Sequence, residues 1–208
     1  IMSIPVALAP LGTSQRQRAL TIWTVAGITE LALAVALAQR VAPFVGALKV
    51  GKELFVSAGP DIVRRLRDTG AAVFLDLKFH DIPQTVARAS VEATRLGAFM
   101  FNVHASGSAP MMREAVRQVR RACRTEQLRR PLMLAVTVLT SLSAGDLATV
   151  GVDAKIEDQV LRLALLAKEC GILAWCSHPD TSLTLLSRES VHLVTSGSRS
   201  RRFMEMRS

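Results

Sequence analysis

Short, nearly continuous apolar runs alternate with helical stretches along this chain. Runs at 46–50, 71–78, 98–104, 131–138, 172–176 and 191–195 have the length and composition of strands. Between them, 60–68, 83–96, 108–127, 155–170 and roughly 179–188 read as helices. Asp61 and Asp158 place acidic charge in first turns, and Gly70, Gly97 and Gly171 follow helix ends. Apolar strands alternating with helices predict a parallel sheet covered on both faces. Units of about 25 to 35 residues, repeated this often, favour an α/β barrel of the TIM (β/α)8 type over an open sheet. A weaker first strand at 20–25 brings the total to seven, so the barrel is expected to be incomplete. Its first strand is degraded and its eighth is missing, which leaves the edges of the first and last strands unpaired. No linker, low-complexity tract or repeat divides the chain, and 1–208 reads as one domain.

The stretch 19–38 approaches the roughly 20 apolar residues of a spanning helix. Glu30 and Gly27 interrupt it, which favours a short strand at 20–25 and a helix at about 29–41. Half the residues are hydrophobic, ample for a core. Three scattered cysteines (Cys123, Cys170, Cys176) without C-x-x-C spacing argue against a disulfide scaffold or zinc site and suit a reducing compartment. The formal charge of +9 favours anionic ligands in general. Arg113, Arg117, Arg120 and Arg124 form a stripe that reads as the solvated face of a helix, and Met111 and Met112 as helix-start packing. With few aromatics and no nucleic-acid motif, neither a nucleic-acid nor a membrane partner is expected.

One apolar run carries charge that needs explaining. In "VFLDLKFHDIPQT", residues 73–85, Asp76, Lys78 and Asp81 interrupt a strand that should be buried. Buried ions without partners cost several kcal/mol or neutralise. Asp76 and Lys78, two apart, share a strand face, while Val73, Leu75 and Leu77 take the helix-facing side. In a parallel barrel the first face is the interior, and the C-terminal strand end is the mouth. Asp81 follows in the loop, and Pro83 suits the first turn of the next helix. The bland alternative is an ion pair that merely closes the barrel end.

"FLDLKFHDIPQTV" resembles the signature of the orotidine 5'-monophosphate decarboxylases, with D-I-P-x-T pointing beyond the D-x-K-x-x-D shared by the wider superfamily. "VGALKVGKELFVSAGPDIVRRLR", "NVHASGS", "VTVLTS" and "LAKECG" resemble the bacterial form in order, over about 35–176. The resemblance implies conversion of orotidine 5'-phosphate to UMP and carbon dioxide, without cofactor or metal, in a cytoplasmic homodimer. It implies that Lys49 holds Asp76 in a charge network, that Asp76 lies beside the substrate carboxylate and that Lys78 protonates C6. Asp81 and Thr85 would reach into the partner's site, with Ile82 beside them at the substrate. Thr140 would help hold the pyrimidine, and Arg199 would match the arginine near the phosphate. His80 and His104 read as supporting or solvent-side residues rather than ligands.

The chain also departs from that pattern. The family's first strand ends in a ribose-binding aspartate, whereas no aspartate precedes Asp61 here. "SGSRS" replaces P-G-I-R-P, and "RSRRFMEMRS" does not resemble the family's final strand with its phosphate-binding Gly-Arg pair. Ile1 before Met2 adds to the impression of a partial reading frame. Three readings follow: a decarboxylase, impaired by these losses; a non-catalytic or dimerising remnant; or a sugar-phosphate decarboxylase or aldolase of the same superfamily.

Overall fold

The computed structural model describes residues 3–6, 20–24, 31–172, 174–177 and 192–195. Among the described residues, eight strands form one sheet in chain order: β1 (Ser3–Val6), β2 (Leu20–Thr24), β3 (Ala47–Gly51), β4 (Val73–Phe79), β5 (Met100–His104), β6 (Leu132–Val136), β7 (Ala174–Ser177) and β8 (His192–Thr195). From β2 to β8 every neighbouring pair is parallel. The sheet curls until β1 lies beside β8. All seven strands expected from the apolar runs are present. The added strand, β1, runs antiparallel to β2, with Ser3 opposite Trp23 and Val6 opposite Leu20. The expectation of a bare edge on the first predicted strand is therefore corrected: an N-terminal segment too short to show a strand period covers it.

Helices fill the connections. They are α1 (Leu31–Val41), α2 (Lys52–Ala58), α3 (Asp61–Asp68), α4 (Pro83–Arg95), α5 (Ala109–Thr125), α6 (Ala144–Thr149) and α7 (Ile156–Glu169). The stretch 19–38 divides between β2 and α1 as its interruptions predict. Among the described residues, no helix is long and apolar enough to cross a membrane. The helix expected at 179–188 lies outside the described residues. Pro83 opens α4, where its missing N–H has no partner to lose. Gly97, at φ +73°, turns the chain out of α4 towards β5.

Strand alternation produces two apolar layers. Leu48, Val50, Val73, Leu75, Phe101, Val103 and Ala135 join helix residues such as Ile62, Val86, Met111 and Val160 in the larger core. Ala47, Phe74, Met100 and Leu134 form a smaller cluster made of strand residues alone, which is the barrel interior. Helix α5 buries Met111, Met112, Ala115, Val116, Val119 and Ala122. Its arginines 113, 117, 120 and 124 are exposed, as the stripe implies.

Candidate active site at the barrel mouth

The site grows from an irregularity in β4. Leu75 pairs with Phe101 and Phe79 with Val103, so Asp76, Leu77 and Lys78 together face the single β5 residue Asn102. Such a bulge re-aims side chains. Here Lys78 adopts φ +53°, a left-handed conformation that lysine rarely takes. Two surplus residues preserve the alternation, so Phe79 returns to the outer side, with its ring centroid 5.9 Å from that of Phe101.

Three groups converge on the Asp76 carboxylate. Lys49 Nζ, from β3, donates to Oδ2 at 3.0 Å, and Lys78 Nζ donates to Oδ1 at 2.6 Å. The Asn102 amide Nδ2 also donates to Oδ1, at 2.6 Å. The Asn102 Oδ1 in turn accepts the Lys78 backbone N–H at 2.7 Å. Side-chain exposure is 12% for both Lys49 and Asp76 but 29% for Lys78, so Lys78 is the member of the cluster most open to a ligand.

Burial alone would raise the Asp76 carboxyl. The Lys49 charge, the hydrogen bond and charge of Lys78, and the Asn102 amide outweigh it and hold that carboxyl below its ordinary value. Asp76 is therefore an anion at neutral pH despite its burial. Beside it, the His80 and His104 rings lie 5.1 Å apart. Burial, His80, and the charges of Lys52 and Lys78 push His104 down to about 4, with Asp76 opposing them. His104 is thus a neutral ring at the same strand end.

Of the residues singled out in the sequence, Lys49, Asp76 and Lys78 meet directly. Asp81 is exposed at the entry to α4, where its Oδ1 accepts the Ile82 N–H at 2.6 Å. Among the described residues it forms no ion pair with either lysine. Ile82 is 67% exposed, and Thr85 is exposed on the first turn of α4. Thr140 is exposed in the segment leaving β6. Arg199 lies outside the described residues. Asn102 is the member the sequence reading missed. Its signal was a lone amide in the apolar run "MFNVH", on the same period-two face as Met100.

Residues 27–201 match the family described as orotidine 5'-phosphate decarboxylase / HUMPS. The chain belongs to that family. A relative from Syntrophomonas wolfei, named orotidine 5'-phosphate decarboxylase, is 52% identical over 149 residues, covering 71% of this chain and 62% of the relative. The chain thus spans under two thirds of that decarboxylase's length. Among solved structures, the orotidine 5'-phosphate decarboxylase of Lactobacillus acidophilus is 32% identical with a TM-score of 0.73, over 83% of this chain and 77% of that one. An uncharacterized conserved protein from Geobacillus kaustophilus is 34% identical with a TM-score of 0.75, over 84% of this chain and 81% of that one. Membership also accounts for the barrel and for the order of the segments that resemble the decarboxylases.

Proposed function

We propose that this chain forms one decarboxylase barrel domain over 1–208, acting in the cytoplasm as a homodimer. Its reaction converts orotidine 5'-phosphate to UMP and carbon dioxide without a cofactor. The observation that carries this reading is the Asp76 carboxylate, fixed at the barrel mouth between two ammonium groups, with the more open one free to face a ligand.

In this reading the bond between C6 and the substrate carboxylate breaks heterolytically. Carbon dioxide leaves, and the electron pair stays on C6. The Lys78 ammonium stabilises that developing charge and then transfers a proton to C6, leaving a neutral amine that recovers its proton from solvent. Asp76 lies beside the departing carboxylate, and the repulsion between the two anions eases as carbon dioxide forms. Lys49 keeps Asp76 ionised and faces the ribose hydroxyls. Thr140 contacts the pyrimidine, Ile82 lines the substrate, and Arg199 meets the phosphate. Asp81 and Thr85, exposed on this chain, complete the partner's site.

The test is direct: supply orotidine 5'-phosphate and follow carbon dioxide and UMP. Metal-independent turnover that Lys78→Ala abolishes supports the reading. Turnover unchanged by Lys78→Ala overturns the mechanism. Neither turnover nor UMP binding would leave the non-catalytic remnant as the better description, while metal-dependent action on a sugar phosphate would favour the superfamily alternative.

A further inference from the structure

We infer that Asn102 is a positioning residue that sets both the direction of the Lys78 ammonium and the orientation of the Asp76 carboxylate. The inference rests on the proposed decarboxylase reading for its consequence in catalysis, but not for its geometry. Asn102 is only 1% exposed and uses both ends of its amide. Its Oδ1 accepts from the Lys78 backbone N–H and its Nδ2 donates to Asp76 Oδ1. The chemistry allows only this orientation, because a peptide N–H can only donate and an ionised carboxylate can only accept. One side chain therefore anchors the backbone of one functional group and the head group of the other. It does so where three β4 residues face one on β5 and where Lys78 holds φ +53°. Without that acceptor, nothing in the sequence of Lys78 itself favours a left-handed backbone.

The isosteric variant Asn102→Asp separates this role from mere filling of space. It keeps an acceptor for the Lys78 N–H but sets a second carboxyl against Asp76. The charged and titratable groups around that contact are Lys49 from β3, Lys78 from β4, and His104, with His80 and Lys52 acting on His104. Two adjacent carboxyls compete for ionisation, and only a protonated one can replace the lost donor. At neutral pH, kcat should fall about 100-fold with KM changed far less, as expected for misplacement of a reacting group. The ratio of variant to parent kcat should climb as pH falls. Asn102→Leu, which lacks both functions, should show the loss without the climb. Parent-like kcat for Asn102→Asp, or a ratio that stays flat with pH, overturns the inference.

A measurement on the unmodified protein decides the matter independently of turnover and of variant folding. The Asn102 side-chain amide protons, followed by NMR, should shift together with the titration of the Asp76 carboxyl. An Asn102 amide insensitive to that titration overturns the positioning role. Absence of turnover in the parent, by contrast, counts against the proposed reaction and leaves the NMR result to decide the role of Asn102.

Discussion

Lys49 reaches Asp76 on a diagonal. The residue opposite Asp76 in the β3–β4 ladder is Gly51, yet Lys49 Nζ ends 3.0 Å from Asp76 Oδ2. The diagonal does not depend on the missing side chain at Gly51, since a Cβ built there would approach nothing more closely than Lys49 Nζ, at 3.8 Å. Lys49→Met keeps the stem and removes the charge, leaving Asp76 with one ammonium and the Asn102 amide. Unfolding free energy should drop by about 1–3 kcal/mol, as for loss of a hydrogen bond to a charged group in a largely buried site. Decarboxylation should fall at least ~10-fold, at 1.36 kcal/mol per tenfold. Urea melts and initial rates check both, and parent-like values would mean that the diagonal pair is idle.

Acid should weaken the fold in two overlapping stages. His104 is held neutral, down to about 4 from an ordinary 6.5, so the unfolded chain takes up its proton first. Its contribution to stability is complete above 6.5 and is lost as pH falls from there to about 4. Asp76 is also depressed, so it stabilises above the unfolded carboxyl value of about 4 and stops doing so as pH drops through its folded value. His104→Asn should flatten the upper stage and leave the lower one. Denaturant midpoints measured from pH 7 to pH 3 would show this, whereas parallel curves for parent and variant would contradict it.

Two glycines should respond oppositely to alanine. At Gly107 an added Cβ would overlap the Met111 Sδ and Cε and come within 3.0 Å of His80 Cδ2. Met111 is fully buried, so its flexible thioether end must re-pack among the core side chains to make room, and Gly107→Ala should cost about 1 kcal/mol through overpacking. Gly51 has φ −86°, which any residue adopts, and only an ordinary contact awaits its Cβ. Gly51→Ala should be neutral or stabilising by up to ~1 kcal/mol. Thermal melts of the two variants side by side decide the contrast.

The proposed homodimer with shared sites predicts complementation. Lys78→Ala and Asp81→Ala chains, each inactive alone, should regain activity on mixing, because one site of every mixed dimer carries both intact groups. Random reassortment gives about a quarter of the parent's sites. Verified mixed dimers without recovery would mean that Asp81 does not act across the interface.

Much of this was readable from the sequence because strands buried on both faces advertise themselves as apolar runs. The charge cluster stood out for the converse reason: Asp76 and Lys78 were ions where no ion should be. Helix α2 was not legible, because it starts directly at the end of β3 and stops at Gly59, φ +66°, two residues before α3. Its seven residues make barely two turns, too few for a helical period to stand apart from that of α3. Helix α6 is shorter still, although its Ser143–Asp146 capping box was in plain view. The bulge was invisible for a different reason: two surplus residues leave the hydrophobic alternation intact. Asn102 went unnoticed with it, because its task depends on the register between β4 and β5.

The left-handed Lys78 has a consequence for anyone moving this motif into another scaffold. Grafted onto a regular strand, D-x-K would still put both residues on one face, with their Cα atoms roughly 6.6 Å apart along it. It would lack the kink that turns the lysine, and the neighbouring amide that holds the kink. Searching or designing barrels for this chemistry is better keyed to a strand carrying two surplus residues beside a buried asparagine than to the three letters themselves.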